Sequence, residues 1–132
     1  MKMLLIDDDE WIRDSLSIFF ESEGCSLKAL ETAEEGLKAL KDQPYDIIIV
    51  DYRLPGMDGL DFLRRIKNSC SNAIKIMVTA YGNKEIISEA KQIGIQDFLE
   101  KPISSKSIET SLYKLIEEHD QQLNRDNQLF TK

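Results

Sequence analysis

Ile47-Ile48-Ile49-Val50-Asp51 is a run of four β-branched residues with no polar alternation, closed by a carboxylate. A strand with one wet face alternates apolar and polar residues, whereas a strand covered on both faces does not. Ile74–Val78 reads the same way, and Met3–Ile6, Leu27–Leu30 and Ile95–Leu99 supply three more short apolar runs. Between the runs lie stretches with apolar residues near every 3.6 positions. Ile12, Leu16, Phe19 and Phe20 mark a helix over 9–22, Leu37 and Leu40 one over 33–42, and Leu60, Leu63 and Ile66 one over 58–68. Ile86, Ile87, Ala90 and Ile93 mark one over 83–93, and Ile108, Leu112, Leu115 and Ile116 one over 104–119. Gly24, Pro44 and Gly94 stand where helices should stop, and Thr32 with Glu35 has capping-box spacing. Strands alternating with helices predict an α/β domain whose parallel sheet is covered on both faces.

The 132 residues fit one domain, with 42% hydrophobic and 31% charged residues. The net charge of −7 argues against direct nucleic-acid binding by this segment, because phosphate backbones reward Lys and Arg. Cys25, Cys70 and His119 have no zinc-ligand spacing and fit reduced thiols in a reducing cytoplasm. No apolar run approaches the roughly 20 residues that span a bilayer, so neither a membrane segment nor a signal peptide is expected. Residues 120–132 are polar and read as a tail or the start of a linker. Ile116, Leu123 and Phe130 fall seven apart, but the positions between them are too polar for a convincing coiled-coil seam.

Four of the five strands end on reactive groups. Asp7-Asp8-Asp9 follow the first, Asp51 closes the third, Thr79 follows the fourth, and Lys101-Pro102 follow the fifth. The second, ending near Leu30-Glu31, offers no obvious partner, which suits an edge strand. Ligands of open α/β sheets bind outside the carboxyl ends of the strands, so these groups are expected at one edge. Three carboxylates in close quarters need a cation, and an oxygen-rich site suits Mg²⁺. Asp51 can then serve as a nucleophile, with Thr79 and Lys101 meeting the phosphoryl oxygens. Taken singly, each member has a plainer reading: Asp7–Asp9 as helix caps, Thr79 as a turn residue, Lys101 as a solvated charge and Pro102 as a first-turn proline. Their joint placement favours the site.

Ile6-Asp7-Asp8-Asp9, Asp51-Tyr52-Arg53-Leu54-Pro55-Gly56-Met57-Asp58-Gly59, Val78-Thr79-Ala80 and Lys101-Pro102 resemble the receiver domain of two-component response regulators, over about residues 2–118. Thr79-Ala80-Tyr81-Gly82 and Asp97–Pro102 look like the receivers of nitrogen-regulation-type activators. The resemblance implies a flavodoxin-like, doubly wound five-stranded sheet of order 2-1-3-4-5 with five helices. It implies a receiver over 1–119 that takes a phosphoryl group on Asp51 from a sensor histidine kinase and switches an output. It implies no other enzyme activity than catalysis of the domain's own phosphoryl transfer and a slow dephosphorylation.

The resemblance makes Asp8 a direct magnesium ligand, Asp7 a ligand mostly through water, and the Arg53 backbone carbonyl a further ligand beside Asp51. Thr79 and Lys101 bind the phosphoryl group, Ala80 leaves it room, and Phe98 is the switch aromatic that follows Thr79, although a core aromatic would also stand there. Arg53 and Tyr81 occupy positions that tune phosphoryl lifetime; their bulk predicts a long one. The Lys101–Pro102 bond is often cis in the family. Residues 83–113 would carry the signal to an output domain or protein, or to a second copy of the receiver on phosphorylation. Neither a phosphate-cradling GxxxxGK[ST] loop nor a basic recognition helix is present.

Two other readings compete. Asp7-x-Asp9 matches the nucleophile and general acid of haloacid-dehalogenase-like phosphatases, though Trp11 stands where that family has Thr or Val, and its later acidic pair is missing. A pseudo-receiver that binds partners without phosphorylation would not need the full set Asp7, Asp8, Asp51, Thr79 and Lys101.

Overall fold

The computed structural model describes residues 1–80 and 82–130, with side chains up to residue 118. Five strands, β1 (Lys2–Ile6), β2 (Ser26–Leu30), β3 (Ile47–Asp51), β4 (Ile74–Thr79) and β5 (Asp97–Glu100), form one sheet of order β2-β1-β3-β4-β5. Every pairing is parallel. The helices are α1 (Glu10–Ser22), α2 (Ala33–Asp42), α3 (Gly59–Ile66), α4 (Lys84–Ile93) and α5 (Ser105–Phe130). This is the expected flavodoxin-like fold.

The two central strands explain the decisive run. Ile47, Ile48, Ile49 and Val50 are all fully buried, so both faces of β3 are covered. The chain winds out from β1 to β2, then returns past β1 to β3, β4 and β5. Right-handed crossovers therefore put α1 on one face and α2, α3 and α4 on the other. The core under α2–α4 joins Leu4, Ile6, Ile48, Val50 and Met77 of the sheet to Ala33, Ala39, Phe62, Leu63 and Ala90 of the helices. Lys75 is the polar intruder in β4: it is buried, its amine donates to the Ala73 carbonyl at 3.3 Å, and burial pulls it below the ordinary lysine range.

The capping signals hold. Thr32 Oγ1 accepts from the Glu35 amide at 3.2 Å and donates to the Glu35 carboxylate at 3.0 Å. Asp9, Asp58 and Asn83 each cap a helix N-terminus. The fifth strand starts two residues later than expected. Gly94 ends α4 at φ +116°, and the Ile95 amide returns to the Ala90 carbonyl at 3.2 Å. Ile95 is thus the apolar residue of a Schellman motif rather than the first residue of a strand.

The chain divides into two compact units, Met1–Pro102 and Ile103–Lys132. The second contains α5, whose Ile108, Leu112 and Leu115 are buried at helical spacing. This helix continues to Phe130, eleven residues past the expected 119. The side chains of Leu123 and Phe130, on which the heptad reading depends, lie outside the described residues. Among the described residues no helix is long and apolar enough to cross a membrane.

Candidate functional site

Sheet register brings the predicted acids together. Ile6 pairs with Val50 and with Leu30, and Asp51 pairs with Val78, so the carboxyl ends of β1, β3 and β4 lie level. The chain leaves β1 as Asp7-Asp8-Asp9, and these residues start α1: Asp9 Oδ1 accepts from Trp11 N at 2.9 Å and Ile12 N at 3.4 Å. Asp9 Oδ1 thus caps α1, the plainer of the roles its position allows. Asp7 turns inward and is buried; its Oδ1 accepts from the Asp9 amide at 2.9 Å. Asp8 stays exposed.

Asp51 is 4% exposed, and its Oδ1 accepts from the Arg53 amide at 3.3 Å. Lys101 reaches across from the end of β5. Its Nζ lies 2.8 Å from Asp51 Oδ2 and 3.0 Å from Asp7 Oδ2. The Lys101 amide donates to the Thr79 carbonyl at 2.9 Å, so the lysine is anchored to the strand that ends on Thr79. Thr79 is fully buried. The Lys101–Pro102 bond is cis. Phe98 packs partly buried against the core, and a Cβ on Gly82 would stand 3.0 Å from its ring.

Asp7, Asp8 and Asp51 each offer a carboxylate oxygen, and these oxygens lie within 4.8 Å of one another. Such a group is oxygen-only, has one solvent-facing member, and fits a hard cation that keeps part of its water shell. Burial raises the Asp7 and Asp51 carboxyls above their ordinary value near 3.8, and the hydrogen bonds of Lys101 only partly oppose it. Burial alone would lower the Lys101 ammonium, but its bonds to Asp51 and Asp7 outweigh that and hold it above the usual lysine value.

The sign of this arrangement is testable. A carboxyl whose folded-state pKa is raised contributes stability below its unfolded pKa, and that contribution is lost as pH rises through the folded value. At neutral pH, without a divalent cation, burial disfavours the negative charge of Asp51, and Lys101 offsets only part of that cost. Asp51→Asn is expected to melt at a higher temperature than the wild type at neutral pH in a chelator. The gap should narrow as pH falls into the carboxylate range, and also on adding a divalent cation that the acidic group takes up. A variant that melts lower at neutral pH contradicts this balance.

The structure also places residues that the sequence did not single out. Arg13, one turn into α1, donates from Nη1 to the Asp7 carbonyl at 2.9 Å, and its Nη2 stands 3.9 Å from the Glu31 carboxylate. The end of β2 thus enters the site indirectly, through a brace on the acidic turn. Gly59, the first residue of α3, runs so close to β3 that a Cβ would collide with the Asp51 carbonyl oxygen. Gly59 closes the motif that begins at Asp51, but neither the motif nor any periodicity states what it approaches.

The chain resembles known proteins over most of its length. The family model described as response regulator receiver domain matches residues 3–113. Sporulation initiation phosphotransferase F of Bacillus subtilis is 34% identical over 119 residues, covering 87% of this chain and 93% of that protein. Transcriptional regulatory protein FixJ of Bradyrhizobium diazoefficiens is 36% identical over 98 residues, covering 74% of this chain and 48% of that protein. The chain thus spans about half the length of FixJ. Among solved structures, a CheY-like receiver domain protein from Methanospirillum hungatei superposes with a TM-score of 0.87 at 26% identity, covering 92% of this chain and 97% of that one. NtrX from Brucella abortus gives 0.84 at 26% identity, covering 93% of this chain and 29% of that one.

Proposed function

Because the chain belongs to the response regulator receiver domain family, we propose that Asp51 accepts a phosphoryl group from the phosphohistidine of a sensor histidine kinase and that this transfer switches an output. Receiver domains interact with histidine kinases and output domains, and they are phosphorylated domains rather than enzymes that turn over a separate substrate. The observation that carries the assignment is the shared lysine: Lys101 Nζ bonds Asp51 at 2.8 Å and Asp7 at 3.0 Å, at the edge where three carboxylates meet.

An Asp51 carboxylate oxygen attacks phosphorus, the O–P bond forms, the N–P bond of the phosphohistidine breaks, and the imidazole nitrogen leaves with the bonding pair. Asp7, Asp8, Asp51 and the Arg53 carbonyl would hold magnesium, which would neutralise charge at the phosphoryl oxygens. Lys101 gives up its bond to Asp51 Oδ2 and donates to a phosphoryl oxygen, and Thr79 donates its hydroxyl to another. Ala80 leaves that space open. Movement of Thr79 toward the phosphoryl group frees room that Phe98 turns into, and α4 and β5, within residues 83–113, carry the change to an output domain, an output protein or a second copy. The receiver occupies residues 1–119, with 120–132 leading out of it, and works in the cytoplasm without contacting nucleic acid itself. Arg53 is exposed at the rim. Its bulk, with that of Tyr81 (outside the described residues), predicts slow hydrolysis; a phosphoryl half-life of seconds in magnesium contradicts this.

Labelling with a small phosphodonor such as acetyl phosphate in magnesium tests the assignment. The wild type and Asp7→Asn with added excess magnesium should label, and Asp51→Asn should not. Label kept by Asp51→Asn and lost by Asp7→Asn would instead identify Asp7 as the nucleophile. No label on the folded wild type would leave a pure interaction module.

A further inference from the structure

The loop between β3 and α3 carries Arg53, whose carbonyl the proposed cation site would use as a ligand, yet Arg53, Pro55 and Gly56 are exposed. Its base is closed by the Gly59 amide donating to the Tyr52 carbonyl at 2.8 Å, and Asp58 caps α3 through the Asp61 amide at 2.9 Å. Its tip is held from elsewhere. Glu34, in the first turn of α2, accepts from the Met57 amide through Oε1 at 2.9 Å. Gly56 makes the approach feasible: its φ is +78°, and a Cβ there would stand 2.9 Å from the same Glu34 oxygen. The two neighbouring glutamates divide the work, since Glu35 is engaged in the capping box with Thr32.

The helix that presents Glu34 is firmly seated. Ala33 is fully buried, and Gly36 sits so tightly that a Cβ would collide with the Ile6 side chain and press on the Phe62 ring at 3.2 Å. Ile6 immediately precedes Asp7. One packed contact thus fixes α2 against the strand that delivers the acidic pair, while Glu34 reaches across to the loop beside Asp51. The Met57 amide, the glutamate's own amide and the nearby Arg65 charge keep the Glu34 carboxyl below its ordinary range, so it is ionised at neutral pH.

We propose that Glu34 is a positioning residue for the cation site: by holding the Met57 amide it fixes the β3–α3 loop and with it the Arg53 carbonyl. The inference rests on the reading of Asp7, Asp8 and Asp51 as the magnesium site. Magnesium requires near-ideal octahedral geometry, so a carbonyl ligand on a loosened loop binds it less well. Residues that orient ligands without touching the metal typically matter by about tenfold or more in affinity.

The test combines magnesium titration by calorimetry with hydrogen exchange of the Met57 amide, on the wild type, Glu34→Ala and Glu34→Gln. Glu34 is exposed, so neither variant threatens the fold. Glu34→Ala is expected to weaken magnesium by about tenfold and to speed Met57 exchange, while phosphorylation at saturating magnesium stays at the wild-type level. Glu34→Gln keeps an oxygen acceptor and should recover most of both losses, which separates the hydrogen bond from the charge. A wild type that binds magnesium while Glu34→Ala matches it in affinity, or in Met57 exchange, overturns the positioning role alone. Equal losses in Gln and Ala overturn the hydrogen-bond account. A wild type that takes up no magnesium overturns the cation site and the inference together.

Discussion

Lys101→Met should slow phosphorylation of Asp51 by roughly 10²–10³-fold at saturating magnesium, the usual cost of removing one preorganised donor from developing anionic charge. Two effects combine. The phosphoryl oxygens lose the ammonium that stands 2.8 Å from Asp51, and the buried carboxyls of Asp51 and Asp7 lose the group that opposes their upward shift. A more protonated Asp51 is a poorer nucleophile. Lys101→Arg should recover only part of the rate, because a planar guanidinium cannot place a point charge between two carboxylates as an ammonium does. Initial labelling rates with a small phosphodonor measure this directly, and a Lys101→Met rate within a few-fold of the wild type would remove Lys101 from the chemistry.

Gly59→Ala should destabilise the protein by about 3 kcal/mol, the upper end of what overpacking costs. A helical glycine replaced by alanine ordinarily gains up to about 1 kcal/mol, so the sign itself is diagnostic. At Gly59 the added methyl would collide with the Asp51 carbonyl oxygen and stand 3.0 Å from Tyr52 Cα. These are backbone atoms at and just past the end of the central strand and cannot rotate away. Relief requires α3 to lift or Asp51 to move, so the surviving folded protein should also phosphorylate more slowly. Denaturant unfolding gives the first quantity and labelling the second; an Ala variant at least as stable as the wild type would contradict the close packing.

The main features of the fold were readable because they depend on what each residue does in its own segment. The unalternating run Ile47–Val50 announces a strand covered on both faces, and Asp7, Asp51, Thr79 and Lys101 each stand at or one residue past the end of a strand, so parallel topology alone gathers them. Ile95 misled because an apolar residue just before a strand looks like its first residue; only the left-handed Gly94 shows that it staples the end of α4. The contacts made by Arg13, Glu31, Glu34 and Gly59 were invisible for a different reason. Each acts on a residue of another element, and neither periodicity nor capping chemistry encodes the distance between elements. Asp9 shows the converse: its capping role, the plainer reading in sequence, is also the one the structure bears out.

The central claim is that Asp51 carries the phosphoryl group. An acyl phosphate is reduced by borohydride, which converts a phosphorylated aspartate to homoserine and leaves free aspartates intact. After acetyl phosphate and magnesium, reduction and peptide mapping by mass spectrometry should place homoserine at residue 51, and no signal at Asp7, Asp8 or Asp9. Homoserine at residue 7, or none in a folded protein that still binds magnesium, would contradict the account.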